Sequence, residues 1–245
     1  MIGEYLIIFL TLALSGLVKG VIGAGLPIVA VPVLATFFDV PFAVALLAIP
    51  LTVTNLWQFW QYRAEAAGRG WLWGMCILSG IGISAGTWLL AILPADVLSL
   101  ALAGALVLYV LLRFARPNWR LPTVAIAPVA QVAGFLSGLL QGATGISAPF
   151  SLTFLSALGL TRAAFVFIAS ALFATSSVFQ TGSLAVAGIL TWDRLVLSVL
   201  ALVPIIVAMQ IGNRLASRLS RETFDRLVLA LIVVVTAKLV YGVFA

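Results

Sequence analysis

The sequence predicts an all-α polytopic membrane protein, made of two inverted repeats of about five helical segments each, with broken or re-entrant helices at the repeat interface. Three observations support this fold class. Hydrophobic residues fill 64% of the 245 positions and charged residues 8%, which leaves too little polar surface for a soluble domain. The hydrophobic residues form successive runs close to the roughly 20 residues that span a bilayer. The second half of the chain also resembles the first.

Ten hydrophobic segments are separated by turn-forming or charged residues. The first five lie near Tyr5–Ile22, Gly25–Phe38, Phe42–Tyr62, Trp71–Leu93 and Val97–Ala115, and the second five near Leu121–Gln141, Ile146–Leu160, Ala163–Gly182, Trp192–Ile211 and Phe224–Phe244. The second and seventh segments are short for a complete span, so we interpret them as broken or re-entrant helices. Residues 1–120 are assigned to the first membrane repeat and residues 121–245 to the second.

The distribution of charge predicts an orientation. With the N-terminus outside the cytoplasm, ten of the eleven arginines fall in cytoplasmic connections and only Arg194 falls on the opposite side. An excess of arginine on the cytoplasmic side is the usual topology signal of membrane proteins. We therefore expect both termini to face outward in a bacterial inner membrane. The net charge of +6 comes mostly from single arginines between apolar runs, so nucleic acid is not an expected partner.

Missing residue types exclude several kinds of chemistry. The chain has no histidine and one cysteine, Cys76, which removes Ser-His and Cys-His catalysis, imidazole metal sites and thiolate clusters. The sequence thus predicts no enzyme, no catalytic residue, no metal and no cofactor. Only two acidic residues, Asp193 and Asp225, fall within a predicted segment, and each is the second residue of that segment, so a carboxylate proton relay or sodium site is not expected. An anionic or neutral solute fits better than a cation.

An internal repeat at an offset of 122 residues is the most informative pattern. Leu14–Pro27 aligns without gaps on Leu136–Pro149, and the same register brings Asn55–Gln58 onto Ser177–Gln180. The alignment pairs Ser15 with Ser137, Gly16 with Gly138, Gly20 with Gly142, Gly23 with Gly145 and Pro27 with Pro149. Because each half has an odd number of segments, the second half should enter from the opposite side. Inverted repeats with interrupted helices at matching positions are typical of transporters.

The matched helix breaks predict a binding site for a small anion. Glycines there allow a turn and close approach of a ligand, and the helix that begins after each break presents free N–H groups to an anion. The alternative is that these glycines are helix-packing positions. Lys19 is the only charge embedded in the first segment; it either attracts substrate or extends to the inner membrane interface. The predicted substrate-binding residues are Lys19, Gly20, Gly23, Gly25, Pro27, Asn55, Gln58, Gln141, Gly142, Thr144, Gly145, Ser147, Pro149, Ser177 and Gln180.

These motifs resemble those of the TauE/SafE family of membrane transporters. The resemblance rests on Gly16-x-x-x-Gly20-x-x-Gly23-x-Gly25 with Pro32 downstream, and on its echo Gly138-x-x-x-Gly142-x-x-Gly145 with Pro149. It implies transport of small organic or inorganic sulfur-containing anions, such as sulfite, sulfoacetate or related sulfonates, with export by alternating access. Two alternatives stay open: a transporter of another small anion such as a carboxylate, and a non-transporting membrane subunit of a larger complex. The expected partners are the anionic substrate and the lipid bilayer, and a homodimer is also open.

Overall fold

The described part of the chain folds into helices. The computed structural model describes residues 2–66, 68–115 and 120–216, together with residues 233, 234, 237 and 241. Within these ranges we label ten α-helices and find no strand. The helices are α1 Ile2–Ile22, α2 Leu26–Ala35, α3 Val40–Gln61, α4 Trp71–Ile92, α5 Ala95–Ala115, α6 Thr123–Thr144, α7 Ala148–Ala157, α8 Arg162–Val186, α9 Trp192–Leu200 and α10 Leu202–Leu215, and a 3₁₀ turn covers Arg63–Ala66.

Seven helical stretches in the described ranges are long and apolar enough to cross a membrane. They are α1, α3, α4, α5, α6, α8 and the continuous stretch Trp192–Leu215, which contains α9 and α10. The predicted all-α polytopic membrane fold is therefore confirmed. Helices α2 and α7 have 10 residues each, or about 15 Å of length, which is too short for a span, as predicted. The predicted segment Phe224–Phe244 lies outside the described residues.

The helix boundaries repeat in the register that the sequence predicted. Helix α2 covers Leu26–Ala35, and α7 covers Ala148–Ala157, 122 positions later at both ends. The helices that follow are capped at equivalent residues: Asp39 accepts a hydrogen bond from the Phe42 N–H, and Thr161 accepts one from the Ala164 N–H. Such caps satisfy backbone donors that the first helical turn leaves unpaired. The same local rules therefore form the same elements in both halves.

The halves are interleaved through glycine contacts. Helix α1 packs on α10 and α6 packs on α4, so the first helix of each half lies on the fourth predicted segment of the other. A Cβ atom at Gly20 would overlap the Met209 backbone, and one at Gly142 would overlap the Ile83 backbone. Small residues permit this close approach of membrane helices.

Helices α3 and α8 form the centre of the bundle. In the most apolar 18-residue part of each helix, 61% of the residues of α3 and 72% of those of α8 are buried, compared with 28–50% in the other spanning stretches. They pack against each other, and the rings of Phe59 and Phe167 stack with centroids 5.4 Å apart. Several polar side chains on these two helices are consequently buried, among them Asn55, Gln58, Ser177 and Gln180.

Candidate functional site

The two helix breaks begin with the same backbone geometry and differ two residues later, where Gly25 has a positive φ and its counterpart Ser147 has φ −110°. Gly23 has φ 86° and Gly145 has φ 77°, both in the left-handed region that glycine adopts without strain. The Gly23 N–H donates to the Lys19 carbonyl and the Gly145 N–H donates to the Gln141 carbonyl, each at 2.7 Å. Gly25 also has a positive φ of 95°. These backbone angles explain why glycine occupies the breaks.

Each break lies against the central helix of the opposite half. A Cβ atom at Gly23 would lie 2.5 Å from Val166 Cγ2 on α8, and one at Gly145 would lie 2.8 Å from Val44 Cγ2 on α3. Val44 and Val166 are themselves 122 positions apart. Gly145 also approaches Val31 of α2, at 3.0 Å from the same hypothetical Cβ. The break in the second half is thus in contact with the helix that follows the break in the first.

Short helices begin immediately after the breaks. Pro27 and Pro149 each occupy the first turn of their helix, where a missing N–H costs nothing. No side chain caps either helix start, at Gly25 or Ser147, within the described chain. The Thr144 hydroxyl donates to the Leu140 carbonyl and accepts from the Ile146 N–H. The second break is therefore braced by Thr144.

Lys19 is the central residue of the first half of the site. Its side chain is 1% exposed, and Nζ donates a hydrogen bond to Asn55 Oδ1 on α3 over 2.5 Å. It does not extend to the surface of the bundle, in contrast to the alternative in which it reaches the membrane interface. Its partner is therefore a neutral amide. The acidic residues of the described ranges all lie at helix ends or in connections; they are Glu4, Asp39, Glu65, Asp96 and Asp193.

The equivalent positions of the second half form a neutral pair. Gln141 occupies the position of Lys19, and its Nε2 donates to Gln180 Oε1 at 3.2 Å. Gln180 Nε2 donates in return to the Gln141 carbonyl at 3.0 Å. Ser177, the counterpart of Asn55, donates its hydroxyl hydrogen to the Ala174 carbonyl of its own helix. The two halves thus share a framework but differ in charge.

Four buried polar atoms have no hydrogen-bond partner among the described residues. They are Asn55 Nδ2, Gln58 Oε1, Thr87 Oγ1 and Ser137 Oγ. Buried polar atoms are normally hydrogen-bonded, so each exception requires an explanation. Two of the four lie on α3, one helical turn apart, and one of these belongs to Asn55, the hydrogen-bond partner of Lys19. This group is the strongest candidate for direct contact with a ligand.

The predicted site residues therefore fall into separate groups. Lys19 is hydrogen-bonded to Asn55, Gln58 lies one turn further along α3, and Gln141 with Gln180 forms a second pair. Gly20 and Gly142 instead face the backbones of α10 and α4, which the packing alternative explains without a ligand. A ligand role for Gly23, Gly25 and Gly145, whose backbone angles require glycine, stays a prediction.

The sequence did not single out the polar residues of α4. Ser79 shares a hydrogen bond of 2.9 Å with Ser176 of α8, and Thr87 lines a mainly apolar cavity of about 620 Å³ between α4 and α8. The available signal was the spacing of Gly82 and Gly86 in α4, which marks a helix-contact face. It was obscured because α4 lacks a clear match in the repeat alignment.

The described chain is a multi-span helical membrane protein with two matched helix breaks and a buried lysine, and interrupted helices at matching positions are a common feature of transporters. Comparison with protein families narrows the class further. The family described as "Sulfite exporter TauE/SafE" matches residues 8–239, so the chain belongs to the TauE/SafE family, and the resemblance drawn from the glycine motifs is confirmed. No curated protein and no solved structure matched the chain.

Proposed function

We propose that this protein transports small sulfur-containing anions, such as sulfite, sulfoacetate or related sulfonates, out of the cell by alternating access. The observation that carries the proposal is Lys19, a fully buried lysine whose hydrogen-bond partner is the neutral amide of Asn55. Burying an ion without a counter-charge is costly. A bound anion would remove this cost, and membership of the TauE/SafE family supports a sulfur oxyanion as its chemical class.

The exchange of contacts between the halves supports alternating access. Gly23 lies against Val166 and Gly145 lies against Val44, which is the reciprocity expected when a two-fold axis relates the repeats. We propose that this axis lies in the membrane plane, as in other inverted-repeat transporters. Rocking of one repeat against the other would then expose the Lys19 cluster to each side in turn.

Export of an anion needs no dedicated coupling site. A monovalent anion that leaves a negative interior gains about 2.3 kcal/mol per 100 mV, equivalent to roughly a fifty-fold gradient. The described spanning helices contain no buried carboxylate, which agrees with such uniport. We place the protein in a bacterial inner membrane with both termini outside, on the distribution of arginine.

A flux screen in proteoliposomes tests the proposal. Purified protein is reconstituted, and uptake of sulfite, methanesulfonate, sulfoacetate, sulfate and acetate is measured with an inside-positive potential, with protein-free liposomes as the blank. We expect saturable flux of the sulfur anions that the Lys19→Gln variant loses. Flux of acetate alone would favour a carboxylate carrier, and absence of all flux would favour a non-transporting subunit.

A further inference from the structure

Helix α3 has one buried donor and one buried acceptor without a partner among the described residues, on Asn55, which contacts Lys19, and on Gln58, one turn further along. Asn55 is 1% exposed and Gln58 is 4% exposed, and the spacing of three residues places both on the same face of the helix. Asn55 already accepts a hydrogen bond from Lys19 through Oδ1, which leaves its Nδ2 as a donor without a partner. Gln58 Oε1 has no donor among the residues that the structure describes. A ligand that satisfies both atoms must accept one hydrogen bond and donate another.

The second half shows what the same position does when it is satisfied. Gln180, the counterpart of Gln58, uses both ends of its amide: Oε1 accepts from Gln141 Nε2, and Nε2 donates to the Gln141 carbonyl. In the first half Lys19 replaces Gln141 and bonds to Asn55 instead. In the second half Gln141 donates to the carbonyl of Gln180, whereas in the first half Lys19 donates to Asn55 and not to Gln58. The carbonyl of Gln58 therefore lacks the donor that its counterpart has.

We propose that Gln58 makes the site selective for a singly charged oxyanion that still carries a hydroxyl hydrogen, such as hydrogensulfite protonated on oxygen. Lys19 Nζ and Asn55 Nδ2 donate to two oxygens of the anion, and Gln58 Oε1 accepts from its O–H. Lysine has three donors, so Nζ keeps its bond to Asn55 while it binds the anion. This inference rests on the proposed function and adds the protonation state of the substrate to it.

The unpaired carbonyl discriminates between otherwise similar anions. An alkyl sulfonate has no O–H at neutral pH, so it cannot donate a hydrogen bond to Gln58 Oε1. It would place a negatively charged oxygen or an alkyl group there instead. The sulfite dianion would do the same and would bring a second charge against a single lysine. Leaving a buried acceptor unsatisfied is what allows a polar site to reject an analogue that lacks the donor.

Few titratable groups of the protein surround Gln58. Of the described residues on helices that pack against α3, Lys19 of α1 is buried. The titratable groups on the other neighbouring helices are not buried: Asp96 and Tyr109 of α5, Arg162 of α8, Asp193 and Arg194 of α9, and Arg214 of α10. Asp39 and Tyr62 flank α3 itself, and Arg63 and Glu65 follow it. Titration of any of these would affect every anion, so a second anion of constant charge provides the correction.

The experiment compares sulfite with methanesulfonate in proteoliposomes from mildly acidic to mildly alkaline pH. Sulfite changes from hydrogensulfite to the dianion over this range, whereas methanesulfonate keeps one charge. We expect the KM for total sulfite, divided by that for methanesulfonate, to rise as the hydrogensulfite fraction falls. At acidic pH the parental protein should prefer sulfite by about tenfold, the value of one well-placed hydrogen bond.

The Gln58→Met variant removes the acceptor at nearly constant side-chain length. It should lose the tenfold preference and the pH dependence of the KM ratio, mainly through weaker sulfite binding. Gln210→Met, the same change at an exposed position of α10, should retain both. Equal transport of the two anions by the parental protein at every pH would overturn the role of Gln58 and leave the proposed function standing. Absence of flux for both anions would overturn both.

Discussion

Lys19 Nζ and Asn55 Oδ1 lie 2.5 Å apart in a buried hydrogen bond that joins α1 to the central helix α3. The bond ties the only buried charge of the described chain to a neutral amide. Its counterpart in the second half joins α6 to α8 through two glutamines. One half of the bundle therefore has a buried lysine at this position, and the other half has a pair of neutral amides.

The first prediction concerns the charge of Lys19. Lys19→Gln should raise the KM for sulfite by at least about tenfold, because a buried charge that contacts a ligand contributes a few kcal/mol. Lys19→Arg should retain part of the affinity, since it keeps the charge but not the shape. Flux assays in proteoliposomes measure both. The matched control is Gln141→Ala at the equivalent neutral position, which should change the KM less; a parental KM in Lys19→Gln would refute the site.

The second prediction separates packing glycines from permissive ones. Gly20→Ala and Gly142→Ala should each lower the stability of the folded protein by about 1–3 kcal/mol, because the new methyl group overlaps a neighbouring helix backbone. Gly104→Ala in the middle of α5 meets no atom within 4 Å and should be neutral or stabilising by up to about 1 kcal/mol. Thermal unfolding in detergent compares the three variants. Equal melting temperatures would contradict the close contact of α1 with α10 and of α6 with α4.

Much of this fold could be predicted from the sequence, because the length of each hydrophobic run and the spacing of glycine and proline determine where each helix begins and ends. The breaks at Gly23 and Gly145 need residues with positive φ, and the following prolines mark helix starts, so both positions are visible in the sequence. The pairing of α1 with α10 was not predictable, since it depends on which small residues face each other. The identity of the Lys19 partner was also hidden, because it required knowing how α1 is rotated against α3.

The third prediction tests whether each break is fitted to the opposite half. Gly23→Ala should be destabilising through strain at φ 86° and through overlap with Val166. Val166→Ala should relieve only the overlap, so the double variant should be less destabilised than the sum of the single variants by about 0.5–3 kcal/mol. Unfolding experiments on the complete cycle give this coupling. Gly25→Ala offers the control, since its Cβ would meet Ile28 only at 3.6 Å and should show strain without coupling to Val166.

The equivalent cycle with Gly145 and Val44 should also show coupling, because those two residues make the same contact 122 positions away, but a smaller one, because Val31 still lies 3.0 Å from the new Cβ. Coupling in one cycle and none in the other would contradict the reciprocal arrangement. The same contact makes a bulky residue at Gly23 a poor test of ligand access, because the new side chain would overlap Val166 whether or not a ligand is bound.

The last prediction concerns orientation in the membrane. The positive-inside distribution of arginine places the connection after α3 and the end of α10 in the cytoplasm, and the connection between α4 and α5 outside. Cys76 is buried and would first be replaced by alanine to clear the background. In intact cells, an impermeant thiol reagent should label Ala95→Cys but leave Ala64→Cys and Ala216→Cys unlabelled. Permeabilised cells supply the control, since all three positions should react there, which shows that shielding in intact cells reflects sidedness instead of burial. Labelling of Ala64→Cys without permeabilisation would show that the orientation is the reverse of the one proposed. The Arg63–Ala66 turn lies between the apolar spans α3 and α4, and moving its charged residues through the bilayer is costly, so the turn stays on one side.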